Sequence, residues 1–445
     1  MKRRFFRRTA MLLFAFLAAT GANAQNDETV LKLTLDQALD IALSENPTIK
    51  VAEQQIELKK LSKDEAWQSL LPSVDFSGTV QYTVLAAVMK LNGMEFKMGQ
   101  DGTSTWNGQL SVSLPVFAPT VYATMNMTET DLKQAVEQAR SSRLSLINQV
   151  TKAYYQLLLA QDSYEVLKQG LDNAQENYDV ISAKFGVGKS SEYDKISADV
   201  QLRSLNPNVV SAQNAIRMAQ LQLMILMGIE SDAEIEVSGN LADYETLLYV
   251  GALSEQDTHD LSGNSDMRQL EISQELLDHS LRIQKMNFLP TLALSGNYSS
   301  QSLYNDNFRI KDYTWANSSS VVLSLSVPIF RMGNFTKLRS SKLQISQLAE
   351  NRMYTEKQLN MQVKNYVNNM KSYSEQVASN KIAVEQAEKG RQIASKRFEV
   401  GSGTILELNS SEVALTQAKL TYSQAIYNYL AAKADLEMML GTNQE

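Results

Sequence analysis

The sequence predicts a mixed α and β membrane protein: four β-strands per chain continued by long coiled-coil α-helices, with the plan written twice. Duplication is the first observation behind this. Ser113-Leu114-Pro115-Val116-Phe117 returns as Ser326-Val327-Pro328-Ile329-Phe330, Lys184-Phe185-Gly186-Val187-Gly188 as Arg397-Phe398-Glu399-Val400-Gly401, and Leu226-Met227-Gly228 as Met439-Leu440-Gly441. The spacings agree, since 328 − 115, 401 − 188 and 441 − 228 all equal 213, whereas Leu71-Pro72-Ser73-Val74 and Leu289-Pro290-Thr291-Leu292 lie 218 apart. The repeated unit is domain-sized, because solenoid units run to only about 20–50 residues. The second observation is a two-residue alternation in four segments. The third is a seven-residue apolar repeat along helices almost free of proline.

In chain order, residues 1–24 read as a secretory signal. Lys2, Arg3, Arg4, Arg7 and Arg8 precede the short apolar run Met11–Ala19, and Ala22-Asn23-Ala24 is a small-residue cleavage site. The run is shorter than the roughly 20 residues of a membrane helix, and no later stretch is as apolar, so no transmembrane helix is expected. Residues 25–230 form the first repeat. Its first helix starts near Thr34, a good N-cap, and Asn46-Pro47 breaks it; a second runs from about Thr48 to Leu70, where Pro72 ends it. Strands at about 73–90 and 104–118 follow, then a long helical hairpin. A linker at 231–264 leads to the second repeat, 265–445, with strands at about 291–304 and 314–330.

The strands divide into two faces. Val74, Phe76, Val80, Tyr82 and Val84 alternate with Asp75, Ser77, Thr79 and Gln81; Trp106, Leu110, Val112, Leu114 and Val116 alternate with Asn107, Gln109, Ser111 and Ser113. The second repeat sets Leu292, Leu294 and Tyr298 against Ser295, Asn297 and Ser299, and Val321, Leu323, Leu325 and Val327 against Ser320, Ser324 and Ser326. Period two with one apolar face fits either a soluble sandwich with a wet face or a membrane barrel with lipid outside and a polar lumen. In the barrel reading the lumen is lined by Asp75, Ser77, Thr79, Gln81, Asn107, Gln109, Ser111, Ser295, Asn297, Ser324 and Ser326. Trp106, Tyr298, Tyr304, Tyr313 and Trp315 then serve as aromatic girdles, and the loops near 93–102 and 305–311 as exposed hairpin ends.

The helices are unusually long. Leu157, Tyr164, Leu171, Tyr178 and Phe185 recur every seven residues, as do Leu408, Leu415, Tyr422, Tyr429 and Leu436. Two related series, Leu202-Val209-Ile216-Leu223 and Met370-Val377-Val384-Phe398, are interrupted by Lys195 and Arg391. Sustained heptads signal a coiled coil, and some 65 residues of helix would reach roughly 100 Å. Pro207 should kink its helix or interrupt its hydrogen bonding. Glycines in 185–191 and 398–404 suit helix C-termini, with Ser or Thr following to cap the next helix.

Four strands cannot close a membrane barrel, since single-chain bacterial barrels have at least about eight. An open edge in lipid would leave backbone groups unpaired at several kcal/mol each. Copies must therefore pool strands, and two, three or four copies would give eight, twelve or sixteen. The charged helices cannot share the membrane and must project into an aqueous compartment.

With these features assembled, the chain resembles the TolC-type outer-membrane efflux proteins over nearly its whole mature length. The carriers are the duplicated plan, the Leu114-Pro115-Val116-Phe117 and Val327-Pro328-Ile329-Phe330 strand ends, and the two Val-Gly turns, the second running from Phe398 to Asn409. The resemblance implies a homotrimer with a shared twelve-stranded barrel above an α-helical barrel, in the bacterial outer membrane with a long periplasmic projection. It implies an equatorial belt around 231–262, a periplasmic adaptor and an inner-membrane pump of RND or ABC type. Adaptor contact would fall on Val187, Gly188, Lys189, Val400, Gly401 and Gly403. Acidic residues after the second turn line the periplasmic gate in this family: Glu407 matches one site, while Ser410 stands where a second acid often sits. Gly403 replaces a basic residue of some members, so a salt-bridge latch built on it should be absent.

Other chemistry finds little support. Lys plus Arg total 42 against 49 Asp plus Glu, a net charge of −7 that gives no reason to expect a nucleic-acid partner. No cysteine is present, which excludes disulfides, thiol catalysis and cysteine metal sites. The two histidines, His259 and His279, lack ligand spacing, and Met89, Met94 and Met98 read as incidental apolar residues. No catalytic residue, cofactor or metal is expected. The reading is a passive outer-membrane exit duct of a tripartite efflux or type I secretion system. A diffusion porin has no need of such helices, and a soluble periplasmic coiled-coil scaffold would leave the strands as a water-exposed sheet.

Overall fold

The computed structural model describes residues 31–91, 93–229, 235–248 and 260–442. The signal segment and much of the 231–264 linker lie outside them. The chain opens with β1 (Leu31–Leu33) and α1 (Leu35–Glu45). Thr34 accepts from the Gln37 N–H while the Gln37 side chain accepts from the Thr34 N–H, a reciprocal cap. The carboxamide of Asn46 caps α2 (Pro47–Gln68) by accepting from the Thr48 N–H at 2.7 Å, with Pro47 filling the first helical position, where no N–H is needed.

Strands β2 (Ser73–Thr83), β5 (Thr103–Phe117), β7 (Thr291–Asn305) and β8 (Ala316–Ser326) form one antiparallel sheet in that order. The expectation of one strand over 73–90 is corrected: β2 stops at Thr83. Its continuation is a separate ribbon, β3 (Ala87–Leu91) paired with β4 (Met94–Met98), the second strand lying where the sequence suggested a loop. Two bonds separate the ribbon from the sheet: the Gly102 N–H donates to the Thr83 carbonyl at 2.7 Å, and the Ala86 N–H to the Asp101 carboxylate at 2.6 Å.

Two hairpins of equal proportions follow the strands. Helix α3 (Pro119–Gly186) and helix α6 (Met332–Glu399) both have 68 residues, about 100 Å of helix; α4 (Glu192–Met227) and α7 (Ile405–Leu440) both have 36. Helix α4 remains helical across Pro207, although Pro207 has no N–H to offer the Arg203 carbonyl. Between the repeats come β6 (Ile235–Val237), a 3-10 helix (Leu241–Leu248) and α5 (Ser265–Met286).

The main core lies at mid-height on α3, where Tyr154, Leu157 and Leu158 meet Leu223 and Met227 of α4 and Ile426 and Leu430 of α7. A parallel pairing of β1 with β6 closes over it, a small belt that alternation alone did not reveal because each strand has only three residues. The buried Tyr154 hydroxyl donates to the Ser238 carbonyl at 2.8 Å, and burial raises its pKa. Glu245 of the 3-10 helix accepts from Lys381 and from the Tyr422 hydroxyl, each at 2.9 Å, and the Lys381 bond foremost holds its carboxyl below the usual range.

Candidate functional site: an open sheet and two helical tips

The strand register sorts the sheet's side chains. Asp75 stands opposite Ser111, Ser77 opposite Gln109, Thr79 opposite Asn107 and Gln81 opposite Thr105. Ser111 then meets Asn297, and Ser113 meets Ser295, while Ser324 and Ser326 continue the face beside Ala293 and Thr291. All eleven proposed lumen residues therefore share one face, joined in places by bonds such as Gln109 to Asn297 at 3.3 Å. Val322, opposite Ser295, is an apolar residue on it, as are Ala293 and Pro115 toward its end. The reverse face carries Phe76, Val80, Leu110, Leu323 and Leu325, all exposed, Phe76 by 77%. Trp106, Tyr313 and Trp315 gather at one end of the sheet, with centroids 5.9 and 6.3 Å apart, and Tyr82 stacks on Phe308 there at 6.2 Å. Tyr298 falls in the middle of β7 instead, away from that cluster.

At the far end, each long hairpin turns through a glycine with positive φ, Gly188 at +73° and Gly401 at +77°. Val187 and Val400 project from these turns, 70% and 76% exposed, and Lys189 is exposed beside them. Gly403 is needed for a different reason: a Cβ there would sit 3.0 Å from that of Arg397 and 3.1 Å from the Phe398 nitrogen. The next helices begin on hydroxyl caps, Ser191 accepting from the Asp194 N–H at 3.1 Å and Thr404 from the Glu407 N–H at 3.2 Å.

The acids at these two equivalent positions behave differently. Asp194 folds back on its own cap and accepts from the Ser191 hydroxyl at 2.7 Å; chiefly that bond holds its carboxyl below the usual range. Glu407 reaches across the turn to Arg397, 3.3 Å away, and both side chains are half exposed. Ser410 is exposed and lines a groove between α4 and α7 with Tyr193, Ile196, Val200 and Leu406; Glu407 is not among its walls. Within one chain, then, the two proposed gate positions do not form a single cluster.

The interrupted heptads mark contacts that the sequence reading left unassigned. Arg391 bonds Glu412 at 2.9 Å, and Glu412 also accepts from Asn173, which ties α3, α6 and α7 together near the tips. Lys195 lies over the Phe185 ring at 5.2 Å, and Lys184 over Phe398 of the other hairpin at 5.0 Å. A charge at a core heptad position was the available signal, because it must find a partner there.

Among the described residues no group of three His, Cys, Asp or Glu side chains could hold a metal, and no helix is long and apolar enough to cross a membrane. The exposed apolar sheet is the surface suited to lipid. A membrane sheet continued by long charged helices defines a channel protein of the bacterial outer membrane. A family profile described as outer membrane efflux protein matches residues 38–229 and 260–442, and the chain belongs to that family. It is 23% identical over 349 residues to the outer membrane protein TolC of Vibrio cholerae, covering 76% of each chain. It is 22% identical over 422 residues to the alkaline protease secretion protein AprF of Pseudomonas aeruginosa, covering 94% of this chain and 86% of that one. The crystal structure of the outer membrane protein VceC from Vibrio cholerae aligns with a TM-score of 0.70 at 16% identity, over 92% of this chain and 96% of that one.

Proposed function

We propose that three copies of this chain close a twelve-stranded barrel in the outer membrane and form the passive exit duct of a tripartite efflux or secretion system. The observation that carries this is the open sheet: among the described residues β2 and β8 are its edge strands, and their apolar side chains are exposed. An open edge in lipid is too costly to persist, so further copies must supply the missing strands. The helices continue the duct into the periplasm, and the polar strand face lines its mouth. The relative named for alkaline protease secretion supports a role in export, and a partner pump would supply the energy.

The exposed tip turns suit a periplasmic adaptor, with Val187, Gly188, Lys189, Val400, Gly401 and Gly403 as its contacts. A Cβ on Gly188 or Gly401 would meet no atom within 4 Å, so a partner's helical hairpin can approach closely. Glu407, repeated around the three-fold axis, would place three carboxylates at the constriction and favour cations there. Protein mass in mild detergent tests the assembly: extraction from outer membranes should yield three chains, and a monomer or a soluble periplasmic protein would overturn it. Val400→Asp should abolish efflux while leaving that mass unchanged; normal efflux would remove the docking role.

A further inference from the structure

We propose that the second repeat carries a binding site for anionic phospholipid headgroups of the periplasm-facing leaflet, built from Arg282 and Lys285 of α5 and Arg339 and Lys342 of α6. The site rests on the reading of the sheet as the membrane segment.

The two repeats correspond position by position. In the first, Phe76 pairs with Leu110; offsets of 218 and 213 give Leu294 with Leu323, an observed β7–β8 pair. The same offsets carry the bond from Asn46 to the Leu226 carbonyl, 2.7 Å, onto that from Asn264 to the Met439 carbonyl, also 2.7 Å. Each residue of one repeat therefore has a counterpart in the other.

The repeats differ most at the collar where helices meet strands. Helix α5 ends at Met286 and leads into β7, and α6 begins at Met332 after β8. These two helix ends are joined: the Phe288 and Phe335 rings meet edge to face at 5.1 Å, and the Asn334 carboxamide donates to the Asn287 carbonyl at 3.2 Å. Phe335, Arg339 and Lys342 follow at i, i+4 and i+7 and share one face of α6, while Lys337 falls on the opposite face. Arg282 and Lys285 share one face of α5 with Glu275 and Asp278. The two faces lie on the same side of the collar. Glu275 bonds Lys133 at 3.2 Å, and Lys133 continues the α3 stripe of Tyr122, Asn126 and Glu129, the counterpart of the α6 stripe.

The four cations stand where the first repeat has Asp64, Trp67, Asn126 and Glu129. Glu129 there is answered by Lys63 at 3.8 Å. In the second repeat all four cations are exposed, and among the described residues none of them forms an ion pair. No Asp or Glu occurs from 279 to 305 or from 313 to 349. Farther from the strands the same helices do pair their charges, Arg352 with Glu271 at 2.8 Å. A neighbouring copy beside α6 would not hide the group, because Asn126 and Glu129 stay exposed although α3 is packed on both sides.

The aromatic rings assign this side to lipid. Trp67, Tyr122 and Phe335 are exposed on it, and large aromatic side chains belong at the headgroup level rather than in a water-filled lumen. Arg339 and Lys342 lie within about 15 Å of the start of α6, and their Cα–Cβ bonds tilt toward that end. Free cations beside an apolar surface at this level attract phosphate, which a guanidinium holds through two N–H donors.

The probe is phosphatidylglycerol added to the assembled protein in mild detergent, with retained lipid counted by native mass spectrometry. The unaltered protein should keep phosphatidylglycerol in preference to phosphatidylcholine with the same chains. R282Q/K285Q/R339Q/K342Q should lower that retention at least about tenfold. Gln in place of four exposed lysines farther along α6, Lys357, Lys364, Lys371 and Lys389, should leave it unchanged. Should the collar variant not assemble, Arg339→Gln/Lys342→Gln reads the same site with a smaller loss. Equal retention by the unaltered protein and the collar variant overturns the site. Equal retention of the two lipids means that chains and not headgroups are held, and overturns it as well. Displacement by an equal concentration of inorganic phosphate would make the free ion the occupant and overturn the lipid assignment. Recovery of the unaltered protein in the soluble periplasm overturns the membrane reading itself.

Discussion

Helices α3 and α6 have the same length and the same place in their repeats, yet α3 is packed on both sides and α6 is an edge. Leu158 of α3 is fully buried, whereas its counterpart 213 residues later, Lys371 of α6, is exposed. The open side of α6 is not purely polar, for Tyr354, Met361 and Ile382 are each at least 60% exposed. A duplicated chain whose two repeats meet along one seam leaves two ends. The difference between the two helices records that, and the repeat plan does not.

Truncation should separate them most clearly. Leu158→Ala is expected to cost about 2–5 kcal/mol in chemical denaturation in detergent, and Lys371→Ala close to nothing. Equal losses would mean that α6 is as central as α3.

The two belt asparagines come next, and here the repeats should behave alike. Asn46 and Asn264 each cap a helix and each donate to a carbonyl at the end of another, so Ala at either position removes both bonds. Each is expected to cost about 1–3 kcal/mol, measured in the same way. A marked inequality would break the equivalence of the repeats.

At the tips the comparison turns on electrostatics. The Asp194 carboxyl titrates below its unfolded value, so its contribution is present above that value and is lost as pH falls through the lower folded one. Hydrogen exchange at the start of α4 should therefore quicken in acid below the ordinary Asp range, and Asp194→Asn should abolish that pH dependence. The smallest stability effect belongs to Glu407→Gln, about 0–1 kcal/mol, because its pair with Arg397 is exposed. Its effect on the channel is separate: cation preference should fall in single-channel recordings, and an unchanged reversal potential would remove Glu407 from the gate.

Why the two acids diverge is visible in their neighbours. Lys184, the counterpart of Arg397, is occupied over the Phe398 ring, and Asp194 is one methylene shorter than Glu407. The acid of the first tip stays on its own cap, and that of the second crosses the turn. The sequence singled out Glu407 after the second turn but not Asp194 after the first, and could not say which would reach a cation.

By itself, the sequence determined the duplication, the helix lengths, the caps and the two faces of the strands. These follow from periodicities of two and seven residues and from single Pro, Gly, Ser and Thr signals, all short in range. Tertiary structure alone decided that β1 and β6, some 200 residues apart, pair into a belt, and that Asn173, Arg391 and Glu412 meet. It also decided that Ala87–Leu91 and Met94–Met98 pair as a ribbon of their own, and which of two equal helices lies inside. Such contacts depend on which elements become neighbours, and burial leaves a charge like Arg391 a place only where a partner from another helix arrives to meet it.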